Sequence, residues 1–370
     1  MEVRQRLIVV GGGILGAMHA WYGRRNGFEV IHLEREAAAR GASVRNFGLV
    51  WVSGRAPGAE LALALRAREL WGQAAIDVPG IALRTGGSLT VAVNDEEWAV
   101  VKAAANLSDA EQRGFHVLEA DEVRERNPAL GGDVRGALWC DRDALVEPRL
   151  ASAAIVARLA DDPAYTWRPA CAVVDVRDRG VRDDEGVWWD GDLVVVCPGA
   201  AHSGLFAPWL RSGVRRVRLQ MMQTAPLDAT FTTSVADADS LRYYPAYEGL
   251  NLAALPPQPP VAAASGLQLL MAQRIDGSLT IGDTHGYDEP FEFDVEEAPY
   301  DELHRRAAAV IGPAMPRVVR RWAGVYSQTT DGRLYARHDV MEGVVVVTGV
   351  GGRGMTCSPA IAAETFEAIA

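Results

Sequence analysis

An apolar run, Leu7-Ile8-Val9-Val10, enters Gly11-Gly12-Gly13-Ile14-Leu15-Gly16 without a break. The G-x-G-x-x-G spacing predicts a strand, a tight turn and a helix from about Leu15 to Asn26. A second apolar run, Val30-Ile31-His32-Leu33, ends on Glu34. Together these make a complete βαβ dinucleotide fingerprint. Gly11 allows the turn, Gly13 lets the backbone approach a pyrophosphate, and Gly16 lets helix and strand pack closely. The helix N-terminus, at Ile14 and Leu15, offers N–H groups and a positive dipole end to phosphates. Glu34 can accept from a ribose hydroxyl and would repel a 2′-phosphate.

Composition sets the class around this unit. The chain has 370 residues, enough for a large core and two lobes. Its 49% hydrophobic and 23% charged content suits a soluble enzyme. A net charge of −11 argues against nucleic-acid and anionic-membrane partners. It does not exclude an anionic substrate, because a basic pocket can sit in an acidic protein. No run reaches the roughly 18 apolar residues of a membrane span. The charged N-terminal hexamer leads directly into the first strand, so no signal peptide is expected. Cys140, Cys171, Cys197 and Cys357 are scattered and form no C-x-x-C, which predicts a reducing, cytoplasmic setting and no bound metal.

Periodicity predicts helices near Glu60–Trp71, Glu96–Arg113, Ala120–Asn127, Ala144–Leu159 and Tyr300–Ile311. Leu83–Val93 reads as a hairpin or long strand, and 167–196 as an antiparallel meander. Leu241–Tyr247 reads as a strand, and 267–282 as a hairpin turned at Asp276-Gly277. Near the end, Val344–Val347 leads into Gly349-Val350-Gly351-Gly352-Arg353-Gly354 and a helix from Thr356 to the last residue. The fold class is therefore mixed α/β. A Rossmann-like cofactor domain with a parallel sheet and an antiparallel meander stands beside a β-sheet-and-helix substrate domain. Strand-Gly-helix units at both chain ends make the cofactor domain discontinuous: 1–85, 144–213 and 322–370, with 86–143 and 214–321 as the substrate domain.

Four blocks in order resemble the FAD-dependent amine oxidases of the D-amino-acid oxidase, glycine oxidase and sarcosine oxidase group. They are Gly11–Gly16 with Glu34, the loop Gly41–Gly48, the strand-turn Val194–Gly199, and Trp322-Ala323-Gly324 through Asp331-Gly332 to Gly354. Gly41–Trp51, Tyr244–Tyr247, Gly282–His285 and Trp322–Tyr326 are similar to a subgroup associated with phosphonate breakdown. The resemblance implies non-covalent FAD, since no cysteine lies between Trp322 and Asp331, where covalent members carry one. It places adenosine and pyrophosphate on the first turn, Glu34 and Arg35. It implies further cofactor contacts at Ala42, Ser43, Arg45, Asn46, Gly48, Val173, Gly199, Gly351, Gly352, Gly354, Met355 and Thr356. The helix starting at Gly354–Thr356 would steady negative charge on reduced flavin. The implied chemistry is hydride transfer from the α-carbon of an uncharged amine, giving an imine that hydrolyses. No protein nucleophile or general base is nominated.

Two departures matter. Where sarcosine-oxidase-like members carry an oxygen-assisting lysine, this chain has Thr280, and its single lysine, Lys102, lies in a polar helix. Where amino-acid oxidases carry a carboxylate-binding arginine, it has Tyr326. Anion recognition then falls to Arg45, Arg274 or Arg353. Tyr244, Tyr247 and His285 complete the expected substrate contacts. The expected function is oxidation of a small anionic amine, such as an aminophosphonate or its N-methyl derivative, with oxygen as acceptor. The alternatives are an amino-acid oxidase or dehydrogenase using another acceptor, a nicotinamide dehydrogenase, and a non-catalytic flavoprotein subunit.

Overall fold

A computed structural model describes residues 4–210 and 213–369. The first half of the charged hexamer, two residues near the end of the expected 144–213 segment, and the last residue of the expected terminal helix lie outside the described residues.

β1 (Arg6–Val10), α1 (Ile14–Arg25) and β2 (Glu29–Leu33) form the predicted unit. β1 sits inside a six-stranded sheet ordered 336–341, 344–348, 193–196, β1, β2, 165–168. Neighbours are parallel except at the outer strand Ala336–Met341. Leu7, Val9, Val195 and Val347 face one core, and Ile8, Val194 and Val346 the other. Both faces are covered, so these strands read as unbroken apolar runs rather than alternating ones. The first core packs against α1, the helix Ala59–Asp77 around Trp71, and the C-terminal helix Gly354–Glu367. The second packs against a three-stranded antiparallel sheet of Val173–Arg177, Gly180–Asp183 and Trp188–Asp190, the expected meander.

The other layer is an eight-stranded mixed sheet ordered 318–329, 214–226, 278–282, 270–273, 234–237, 88–92, 136–140, 115–119. Alternation sends Met222 and Ile281 toward the helix Glu297–Ile311, and Met221 and Leu270 to the opposite face. That opposite face carries Phe47 and Trp51 in one cluster. β1, Leu193–Val196 and Val344–Thr348 all end in the turns that line the cavity described below. Ligand sites in open α/β sheets lie outside such carboxyl ends.

Four elements depart from the sequence reading. Glu96–Arg113 is two helices, Asp95–Ala104 and Ala110–Arg113, because Asn106, Ser108 and Asp109 favour turns over helix. Ala144–Leu145 is a short strand on Leu49–Val50, and the helix starts at Pro148, where a missing N–H costs nothing. Within Leu83–Val93 only Ser88–Ala92 is a strand. Leu241–Tyr247 is not a strand: 3-10 turns cover Ala238–Tyr243 and Pro245–Tyr247. Asp237 caps the first turn by accepting from the Ser240 N–H, and Pro245 has no N–H for a ladder.

Candidate active site

The Gly11–Gly16 turn is fixed by close contacts. Gly11 has φ +111°, and a Cβ there would lie 2.4 Å from the Cys197 carbonyl oxygen. A Cβ at Gly16 would lie 1.8 Å from the Gly11 carbonyl oxygen. His32 Nε2 donates to that same carbonyl at 2.9 Å, and its Nδ1 accepts from the Tyr165 hydroxyl at 2.9 Å. Ser43 Oγ accepts from the Ile14 N–H at 2.9 Å, tying the second loop to the helix start. At Gly13, by contrast, a Cβ would meet only Ser43 Oγ, at 3.0 Å.

A cavity of about 500 Å³ runs from this turn to the second glycine turn at Gly349–Gly354. Sixteen of the expected contacts line it: Gly13, Ile14, Leu15, Gly16, Ala42, Ser43, Asn46, Gly199, Gly351, Gly352, Gly354, Met355, Tyr244, His285, Tyr326 and Arg353. Asn46 locks its loop, donating to Ala42 and Ser43 carbonyls and accepting from the Gly48 N–H.

The other expected contacts do not line it, each for a local reason. Gly11 packs against Cys197, where a Cβ would meet the carbonyl oxygen. Glu34 accepts from the Gly12 and Glu36 N–H groups, so its carboxylate braces the turn itself. Arg35 is exposed. Gly48 has φ +87° and abuts the Val146 carbonyl, where a Cβ would come within 2.1 Å. Val173 belongs to the three-stranded sheet. Thr356 is buried and accepts from the Trp51 N–H at 2.9 Å. Arg45 donates to the Arg40 and Ala323 carbonyls. Arg274 is buried against Glu147. Tyr247 is buried in a core cluster, stacked on Phe115 at 6.2 Å. The chain turns at Tyr244-Pro245, so the tyrosines do not share one strand face.

The cavity also takes in Tyr243, a neighbour of the expected Tyr244, and residues the sequence did not single out: Phe47, Trp51, Arg55, Glu60, Glu248, Gln268, Asp283 and Tyr287. Arg55 falls in an irregular stretch of small residues, and Glu60 reads as an ordinary helix start. Asp283 lies inside the quoted Gly282–His285 block and was the findable one, a lone acid at a strand end. Thr280 and Lys102 are absent from the lining; Lys102 lies over the Trp98 ring on an outer helix.

Charge in the cavity is divided. Glu60 is buried, 3.5 Å from Arg55 and 3.0 Å from Arg353. Two guanidinium groups against one carboxylate leave a formal positive charge there. Asp283 is buried without an ion-pair partner among the described residues, and burial raises its pKa, opposed by His285 and the Gln268 amide. Burial also raises the pKa values of Tyr243, Tyr244 and Tyr326, so their phenols stay neutral. His285 Nδ1 donates to the Gly266 carbonyl at 3.0 Å, and its ring stacks on Tyr243 at 4.2 Å.

The arrangement suits an extended dinucleotide. Glycines line both ends of the cavity, and a helix N-terminus stands at each: α1 at Ile14 and the C-terminal helix at Gly354. Comparison with known proteins gives the same direction. The family model described as DAO, FAD dependent oxidoreductase, matches residues 6–368. A subunit of the opine oxidase of Rhizobium meliloti is 36% identical over 149 residues, 37% of this chain and 40% of that one. The match thus spans about two fifths of that relative's length. The fold is shared with glycine oxidase from Bacillus cereus, at TM-score 0.78 and 20% identity over 99% of this chain and 96% of that one. It is also shared with iminodiacetate oxidase from Chelativorans, at TM-score 0.75 and 19% identity over 97% and 93%. The glycine-lined cavity and a family match over almost the whole chain lead to one conclusion: the protein belongs to the DAO family of FAD-dependent oxidoreductases.

Proposed function

We propose that the protein oxidises a small amine that also carries an anionic group, an aminophosphonate or its N-methyl derivative being the candidate substrate, with oxygen as electron acceptor. The observation that carries this reading is the charge layout of the cavity. Tyr326 stands where the resembling amino-acid oxidases carry a carboxylate-binding arginine. A Cβ at Gly352 would lie 3.7 Å from its hydroxyl. Arg55 and Arg353 supply positive charge elsewhere in the same cavity. Glu60 leaves these two guanidinium groups one net positive charge, and a phosphonate, with three oxygens, can bond both where a carboxylate has only two.

When bound, FAD supplies the hydride acceptor. Gly13–Gly16 and Ser43 would hold its pyrophosphate, and Gly351–Gly354 its ring end. Trp51, Tyr243, Tyr244 and Tyr326 give the substrate a mostly apolar wall that excludes water and fixes its orientation. The same reading takes 1–85, 144–213 and 322–370 as the FAD-binding domain and 86–143 and 214–321 as the substrate domain. The strand Val318–Thr329 spans that last boundary while pairing with Val214–Pro226.

A substrate panel tests the reading. A charge-assisted contact to a buried anion is worth roughly 1.5–3 kcal/mol, about tenfold or more in specificity. Under anaerobic conditions aminoethyl- or N-methylaminoethylphosphonate should bleach the flavin faster than glycine, sarcosine or D-alanine. Arg353→Gln or Arg55→Gln should erase the difference. The opposite order sinks the anion argument. A second reading rests on the opine oxidase likeness: an opine substrate, with the chain as one subunit of a larger oxidase. An opine in the same panel, bleaching fastest, selects it.

A further inference from the structure

Asp283 directly follows the strand Ser278–Gly282 and is 6% exposed, yet its Oδ1 has no hydrogen-bond partner among the described residues. Beside it Gln268, 3% exposed, leaves Oε1 equally unpartnered. Both line the cavity. Buried polar atoms in native proteins are nearly always satisfied, and each exception calls for a reason. Two adjacent acceptors need donors, and no cation of the protein pairs with Asp283 among the described residues. An anion would be repelled here. A group with several N–H donors and positive charge fits.

We infer that Asp283 and Gln268 form the subsite that receives the substrate's ammonium group, with Asp283 taking its proton. This rests on the amine-oxidation reading and assigns the residue that prepares the amine. The step is a proton transfer: an N–H bond of RCH2–NH3⁺ breaks and an O–H bond forms on Asp283, giving RCH2–NH2 and a neutral acid. No electrons change owner. The freed lone pair is what allows hydride to leave the α-carbon. The Gln268 amide remains to hold the nitrogen in place. A carboxylate whose proton affinity burial has raised is the better acceptor. The titratable groups facing it are His285 beyond its own strand, Tyr243 and Tyr244 on the 3-10 turns, and Tyr326 on Val318–Thr329.

FAD-loaded wild type, Asp283→Asn and His285→Asn are compared in two assays. Calorimetry measures binding of two matched pairs: 2-aminoethylphosphonate against ethylphosphonate, and glycine against acetate. Wild type should favour the ammonium member at least tenfold in one pair, and Asp283→Asn should lose that preference. Anaerobic flavin reduction by the fastest amine should slow about a hundredfold or more in Asp283→Asn. The wild-type rate should rise with pH through the titration of Asp283. That limb should vanish in Asp283→Asn and persist in His285→Asn. An ammonium preference or acid limb that survives in FAD-loaded Asp283→Asn overturns the assignment, as does equal or unmeasurable binding of both members of both pairs by wild type. If Asp283→Asn does not hold FAD, Gln268→Leu should reduce the preference, and an unchanged preference overturns the subsite. Failure of the amine-oxidation reading looks different: the ammonium preference remains, but no amine reduces the flavin.

Discussion

Gly13 and Gly16 show how one residue type serves two purposes three positions apart. At Gly16 the obstacle is the protein's own backbone, so any side chain breaks the helix–strand contact. At Gly13 a Cβ would meet only the Ser43 hydroxyl, at 3.0 Å, so the protein's own backbone leaves room and the obstacle to a larger side chain would be a pyrophosphate bound on the turn. Gly13→Val should therefore fold with unchanged far-UV circular dichroism and lose FAD by tenfold or more in affinity. The ratio of flavin to protein absorbance checks it; full flavin occupancy in the variant rules the fingerprint out as the pyrophosphate site. The arginines teach the reverse lesson. Arg45, Arg274 and Arg353 look alike in sequence, but backbone carbonyls hold Arg45 and Glu147 holds Arg274. Partner chemistry, invisible in a linear string, decided which guanidinium reached the cavity.

Elements carry the next level. α1 and β2 each bury one histidine, His19 and His32, with 0% exposure. His19 Nδ1 donates to the Leu15 carbonyl at 2.7 Å, and His32 holds the Gly11 carbonyl. Burial lowers both pKa values to about 4. An unfolded histidine titrates near 6.5. Between about pH 6.5 and pH 4 the unfolded chain thus binds protons that the folded chain does not. Their stabilisation is full above pH 6.5 and is lost as pH falls through this window, by at most roughly 3 kcal/mol per ring. The urea midpoint should drop between pH 7.5 and pH 5, and His32→Gln should flatten that dependence. A midpoint independent of pH contradicts the assignment of neutral buried rings. The parallel strands and most of the helices were legible because their apolar spacing is local. Leu241–Tyr247 was not, because Asp237 and Pro245 impose turns that an apolar-aromatic pattern conceals.

For the whole molecule, the mode of FAD attachment is the first thing to measure. Cys197 lines the cavity, and Cys357 lies at the start of the C-terminal helix. Burial pushes the Cys197 thiol up and the Cys357 thiol up to about 11, so neither offers the thiolate that attacks a flavin. The purified protein should be yellow, and acid precipitation should release all its FAD to the supernatant; flavin left in the pellet means a covalent link. The sequence by itself determined the βαβ unit, the second glycine turn and the mixed α/β class. Each of these is written in neighbouring residues whose backbone needs are local. Tertiary structure alone decided the rest of the cavity lining. Arg55 and Glu60 come from one stretch, Gln268 and Asp283 from another some two hundred residues on, and only the tertiary fold puts them in one cavity. Charge and proton affinity there depend on burial and on which partner is within reach, and neither quantity exists until the chain has folded.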